Sequence, residues 1–488
     1  MNKTESLHRK LTFGISYLLS SSIASILINA ITVGFIARKL GVENFGLYSA
    51  ILSFVQLFQF LSDFGLNKTL LRFGSTDIAK AQTSFGNALF VKSILILPTL
   101  FLLTVLGLIA GYRDEKLIVL ELFAVSLILD SYATIFTSVR RILGSFKLIS
   151  FFRVFRTIAN LIIIVIALSY NNSVLSLATA NTALSIVTFI VSLLNTLLLL
   201  KPKIKLELIK DFFKDSIIFS LSDFFLNLYS RIGTVLLSFF NELHSVGIYS
   251  AAAKFTRIAN LVPTQVQFAL LPTMYRILDE NNVNKPKKVF TILLKYMAIF
   301  ATPLAISIYF FSESFIHLIF GQKYDLAIPL VKLFSLFIYL RFIETPFNLF
   351  YIGLKKHKNM VIFQGITSVL NIVLNLVLIP LYSAYGACFA TLISETTYTV
   401  MIIFTGRKYS LWKSMEILKI LLKTIFATYL SLILVNTLLF KANLFIQQFV
   451  MITSYFLLLF LVKAFNKEDK ELFLKIFVAK EKKTMENL

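Results

Sequence analysis

The sequence predicts an all-α integral membrane protein of fourteen transmembrane helices, with two parallel six-helix lobes around a central cavity and two helices appended. Three observations carry this expectation. The 488-residue chain is 57% hydrophobic and only 15% charged, whereas soluble domains carry about 25% charged residues and could not cover such an apolar surface. Apolar stretches of bilayer-crossing length recur along the whole chain. A short motif, Phe45-Gly46-Leu47-Tyr48-Ser49-Ala50, returns 201 residues later as Val246-Gly247-Ile248-Tyr249-Ser250-Ala251.

A helix needs about 20 apolar residues to cross the bilayer. The segments that qualify are 11–37, 46–66, 84–110, 117–139, 149–169, 173–200, 212–240, 247–275, 289–311, 326–354, 359–380, 386–406, 415–440 and 443–463. The first follows a short basic tail and is too long for a signal-peptide core, so it reads as a retained helix. The breaks at 170–172 and 381–385 are the shortest. The chain divides as an N-lobe (1–200, spans 1–6), a C-lobe (201–410, spans 7–12), spans 13 and 14 (411–465), and a charged, partly amphipathic tail (466–488) expected to lie near anionic headgroups.

Lys and Arg set the orientation. With the N-terminus inside, 35 of the 48 cations fall in inner segments, 6 in outer loops and 7 within spans. The skew alternates at every loop, which places both termini in the cytoplasm. It also accounts for the net charge of +23, so nucleic acid is not an expected partner. One cysteine, Cys388, excludes an intrachain disulfide, and the four histidines show no ligand spacing. No phosphate-cradling glycine loop is present, which argues against direct ATP drive. No acid pair or Ser/His/Asp set falls in a loop long enough to form a catalytic site. No cofactor is expected, though proton or sodium coupling stays open.

The motif offset spans six helices, an even number, so both copies cross in the same direction as parallel repeats. Two such lobes suit alternating-access transport.

Here a resemblance becomes specific. Ala37-Arg38-Lys39-Leu40-Gly41-Val42-Glu43-Asn44-Phe45-Gly46-Leu47-Tyr48 resembles the first-loop signature of the polysaccharide exporter family. This family holds the Wzx-type flippases of lipid-linked oligosaccharides (O-antigen units among them), within the multidrug/oligosaccharidyl-lipid/polysaccharide superfamily. Ser62-Asp63-Phe64-Gly65-Leu66 and Val246–Ala252 resemble two further motifs. The resemblance implies a bacterial cytoplasmic (inner) membrane flippase with a fold like that of MATE transporters and lipid flippases. It would move undecaprenyl-pyrophosphate-linked oligosaccharide from the inner to the outer leaflet, with a polysaccharide polymerase and a chain-length regulator as candidate partners beside the lipid bilayer.

Charges inside spans cost roughly 2.5–3.5 kcal/mol each, so they should face protein or water. Span 8 sets Ser250, Lys254, Arg257, Leu261 and Thr264 on one stripe. Arg257 lies about ten residues, or roughly 15 Å, from the outer end. Span 7 aligns Asp223, Asn227 and Arg231, with Arg231 at similar depth. Arg suits bidentate phosphate recognition, so Arg257, Lys254 and Arg231 are candidate substrate cations. Internal ion pairing, with Asp130 or Glu395 reaching Arg231, is the competing role. Shifted by 201, the stripe becomes Ser49, Ser53, Gln56, Phe60 and Asp63, uncharged until Asp63. Lys92 would either add charge to the first lobe or snorkel. Arg341 would either meet substrate or pair with Glu344 at i, i+3. Gln364, Ser368, Asn371 and Asn375 share a face, as interhelical glue or as sugar contacts. Asp130, Asp223 and Glu395 would either couple ions or neutralise arginines.

Three alternatives remain. A cation-coupled drug exporter of the same superfamily predicts an acidic cavity and twelve helices. A peptidoglycan-precursor flippase predicts charge in span 1, and 11–37 holds none. A membrane polymerase or glycosyltransferase predicts a large extramembrane loop.

Overall fold

The computed structural model describes residues 3–74, 77–240, 243–260, 262–267, 270, 274, 284–354, 357–407, 414–438 and 442–464. The tail 466–488 lies outside them. The described residues form fifteen α-helices and two short 3-10 turns, with no strand. In chain order the helices are α1 Lys3–Leu57, α2 Gln59–Asp63, α3 Leu66–Gly74, α4 Ile78–Ile109 and α5 Asp114–Ile142. They continue with α6 Phe146–Tyr170, α7 Val174–Leu199, α8 Ile209–Phe239, α9 Leu243–Ala259 and α10 Asn284–Phe310. The last are α11 Ser312–Ile319, α12 Ile328–Gly353, α13 His357–Gly406, α14 Ser414–Leu438 and α15 Leu444–Leu461.

Among the described residues, nine helices are long and apolar enough to cross a membrane. Two of these hold a pair of predicted spans each. Span 1 and most of span 2 run together as α1, interrupted at Gly41 (φ 75°, ψ 176°), with the rest of span 2 in α2, and spans 11 and 12 run together as α13, interrupted at Ser383 (φ 52°, ψ −126°). The loops expected at 38–45 and 381–385 are therefore single-residue kinks. Glycine takes the left-handed φ at Gly41 without a Cβ clash. The 170–172 break is a true turn, where Ser173 caps α7 by accepting from the Ser176 amide at 3.1 Å. The motif 62–66 breaks the chain as well, with Phe64 (φ 41°) and Gly65 (φ 70°) both left-handed.

The chain packs as two compact units. Unit 1 comprises Met1–Ile258, Phe315–Leu330 and Val361–Tyr398; unit 2 comprises Ala259–Ser314, Val331–Met360 and Thr399–Leu488. In unit 1 the core joins Leu66 and Leu70 of α3, Phe85 of α4, Ile135 and Phe136 of α5, and Phe212 of α8. In unit 2 Tyr455 and Leu459 of α15 pack on Ile299 of α10 and Ala427 of α14, and the Tyr455 hydroxyl donates to the Ile299 carbonyl at 2.8 Å. Buried hydroxyls are satisfied mostly within their own helix, as in Thr32 to Ile28, Thr99 to Leu95 and Thr302 to Ala298. A polar group in a lipid-facing bundle thereby avoids an unmet hydrogen bond.

The repeat is visible as a reciprocal contact inside unit 1. A methyl on Gly46 would overlap the Leu243 carbonyl and sit 3.0 Å from the Gly247 nitrogen; one on Gly247 would overlap the Val42 carbonyl. Leu243 and Gly247 are Val42 and Gly46 shifted by 201 residues. Each copy of the motif thus presents its glycine to the backbone of the other, the pattern of two small-residue faces meeting about a two-fold relation.

Candidate functional site

Close packing of the two motifs fixes the helices that carry the cations. Nearby, Phe45 is fully buried against Phe320 and Tyr324, and the Tyr324 hydroxyl donates to the Ala37 carbonyl at 3.0 Å. Arg38 donates to the carbonyls of His317, Leu318 and Ile319 at 2.9, 2.6 and 3.1 Å, capping the C-terminus of α11. One turn beyond Phe45, Tyr48 enters a cavity of about 330 Å³ within unit 1.

The cavity wall carries Lys254 and Arg257 of α9 with a set of neutral polar groups: Asn29 and Thr32 of α1, Tyr48, Asn160 of α6 and Asn181 of α7. Phe123, Phe255 and Phe320 supply apolar wall. Phe255 is buried, whereas Arg257 two residues on is exposed, and both line the cavity. Arg231 of α8 is not part of that wall, yet it lies within electrostatic range of Arg257, Lys254 and Tyr48. Its Nε is buried without a partner. Among the described residues no carboxylate pairs with Arg231, Lys254 or Arg257, and none lines the cavity.

The other sequence candidates are placed elsewhere. Lys92 is 1% exposed; its Nζ donates to the Ser131 carbonyl at 2.6 Å, pairs with Asp63 at 3.5 Å and sits over the Tyr132 ring. It neither lines this cavity nor snorkels. Arg341 belongs to unit 2 and faces Glu344 at 3.8 Å; Glu344 is fully buried and accepts from Thr399 at 2.5 Å. Asp130 pairs with Arg156 at 2.5 Å. Glu395 is buried and accepts from the Tyr229 hydroxyl at 2.5 Å. Asp223 lies in α8, but its side chain is outside the described residues. On α13, Asn375 donates to Asn371, and Ser368 reaches the Phe225 carbonyl at 3.5 Å, in keeping with polar glue.

Sequence reasoning missed Asn29, Asn160 and Asn181. Each is a strongly polar side chain inside an apolar span, and that was the available signal. What single helices could not give was their convergence from α1, α6 and α7 on one space. The repeat-related tyrosines also diverge. Tyr48 faces the cations, while Tyr249 is buried, with its hydroxyl near Thr391 at 3.4 Å.

Residues 11–278, more than half of the chain, match the family described as polysaccharide biosynthesis protein. The chain belongs to that family. A second family description, MatE, matches this member over residues 219–377. A curated relative, the probable flippase AglR of Haloferax volcanii, is 27% identical over 188 residues. That match covers 36% of this chain and 37% of AglR, so the chain spans only about a third of that relative's length. Among solved structures, the lipid II flippase MurJ in an inward closed conformation aligns over 94% of this chain and 99% of its own, with TM-score 0.75 and 16% identity. A multidrug resistance MATE family transporter of the MOP superfamily, in an inward-facing conformation, aligns over 79% and 98%, with TM-score 0.63 and 14% identity. At these identities the structural likeness establishes the fold alone, an all-α membrane architecture shared with those two proteins.

Proposed function

We propose that the protein is a flippase that carries undecaprenyl-pyrophosphate-linked oligosaccharide units, of O-antigen or capsule type, from the inner to the outer leaflet of a bacterial cytoplasmic membrane. The observation that carries this reading is the group of three cations, Arg231, Lys254 and Arg257, with no carboxylate paired to them among the described residues, two of them on a cavity wall shared with three asparagines. Guanidinium and ammonium groups would hold the diphosphate. The asparagine amides would meet sugar hydroxyls as both donors and acceptors. The polyprenyl chain would remain in lipid while the lobes exchange access. The Gly46–Gly247 contact would seal one side.

Energy would come from a proton or sodium gradient through acids outside the cavity, or from the membrane potential, which contributes about 2.3 kcal/mol per charge per 100 mV. Both termini would be cytoplasmic, and a polymerase and chain-length regulator would act on the product. The role is transport rather than catalysis.

The fold match to MurJ favours a peptidoglycan-precursor carrier as the second reading. Against it, the described part of span 1 contributes Asn29 and Thr32 to the cavity rather than charge. A cavity lined by Lys and Arg, with no acid among the described residues that line it, also weighs against export of cationic drugs.

The test is complementation in a flippase-deficient strain. Arg257→Ala should leave the protein inserted, abolish surface polysaccharide and leave lipid-linked units on the inner leaflet. Wild-type polymer with Arg257→Ala would remove the cavity from the mechanism.

A further inference from the structure

A second chamber in unit 1, about 710 Å³, lies among α3, α5, α6 and α7 and is more basic than the first. Five cations line it, Lys68, Arg140, Arg141, Arg153 and Arg156, with one acid, Asp130. Among the described residues Asp130 pairs with Arg156. Arg153 is tied to α1 through the Leu18 carbonyl and the Ser21 and Ser22 hydroxyls. Arg140 is 2% exposed; it stacks on Phe152 with its guanidinium carbon 4.6 Å from the ring centroid, donates to the Ser192 carbonyl at 3.2 Å, and leaves Nε buried without a partner. Holding four guanidinium groups, Arg140, Arg141, Arg153 and Arg156, around one described carboxylate in a membrane bundle is costly without an anion.

The chamber wall also says what kind of anion fits. It runs out to Phe155, Val187 and Val191, all exposed. Phe155 continues the exposed apolar face of α6 (Phe151, Ile158, Ile162, Ile166), and Val187 and Val191 continue that of α7 (Ile190, Leu194). A ligand entering there meets hydrocarbon-covering surface first and guanidinium groups behind it. Thr134, Thr137 and Ser138 add hydroxyls on the α5 wall.

We propose that this chamber is a binding site for a lipid-borne phosphate, with the headgroup on Arg140, Arg141 and Arg156 and the tail along the outer faces of α6 and α7. The chamber shares no lining residue with the first cavity.

The experiment is native mass spectrometry of the delipidated full chain in detergent with phosphatidylglycerol, phosphatidylcholine or glycerol 3-phosphate. Wild type should retain phosphatidylglycerol over phosphatidylcholine. Arg141→Gln/Arg156→Gln, at unchanged melting temperature, should weaken that retention by about twenty-fivefold, from roughly fivefold for each of the two cations lost. Asp130→Asn frees Arg156 and should strengthen it, which keeps a test available if the double variant fails to fold. Unchanged retention in the folded double variant, no gain in Asp130→Asn, or displacement of the lipid by an equal concentration of glycerol 3-phosphate would each overturn the proposal.

Discussion

Gly46 and Gly247, 201 residues apart in the chain, occupy equivalent positions in two copies of one motif and pack against each other's copy with no room for a methyl on either. The nearest obstructing atoms, the Leu243 and Val42 carbonyl oxygens, are backbone, so a methyl cannot be accommodated by a rotamer change. The contact therefore either holds with glycine or separates.

From this, Gly46→Ala and Gly247→Ala should have the same phenotype. Each should lower transport and raise thiol labelling of a cysteine placed at Tyr48, measured from the outer side of intact cells. Labelling equal to that of the Tyr48→Cys parent would show that the contact does not seal the cavity.

The sign of charge on the cavity wall is open to test. Asn181→Asp places a carboxylate on the wall shared with Lys254 and Arg257. It should reduce transport more than Asn181→Ala, since a new internal anion competes with substrate for the cations. Equal losses would indicate that Asn181 serves packing alone. Arg257→Lys should retain part of the activity if charge suffices and lose it if the planar fork is needed.

Arg341 and Glu344 are expected to behave as a structural pair. Arg341→Met alone removes the cation that faces the fully buried Glu344 carboxylate at 3.8 Å, and should lower stability because a buried carboxylate loses one of its partners. The double variant Arg341→Met/Glu344→Gln should recover most of that stability. Thermal unfolding in detergent measures it, and a double variant no more stable than the single one would break the assignment.

Arg38→Ala removes three hydrogen bonds to the last carbonyls of α11. At about 1 kcal/mol net for each bond in a partly hydrated setting, the loss should appear as a lower melting temperature with the cavity chemistry intact. Unchanged melting would mean that water caps α11 as well as the guanidinium does.

Lys92 illustrates why site residues were harder to read than the fold. A cation near the end of an apolar helix has the same sequence signature whether it lines a cavity, snorkels or pairs. Only the approach of Asp63 and the Ser131 carbonyl from other helices decides among these. Arg231, Lys254 and Arg257 were legible as a group because two consecutive spans put them at similar depth, and helical rise is a property of the sequence alone.

The sequence by itself determined the class of structure, the order of its helices, the repeat and the location of charge within spans. Each follows from hydrocarbon thickness, helical period and the cost of a bare ion in lipid, which act on every segment separately. Tertiary structure decided that Gly41 and Ser383 are kinks rather than loops, that Asn29, Asn160 and Asn181 converge on the cations, that Lys92 and Arg341 are paired, and that a second basic chamber opens beside α6 and α7. These depend on which helix faces meet, and no helix carries that information without its neighbours.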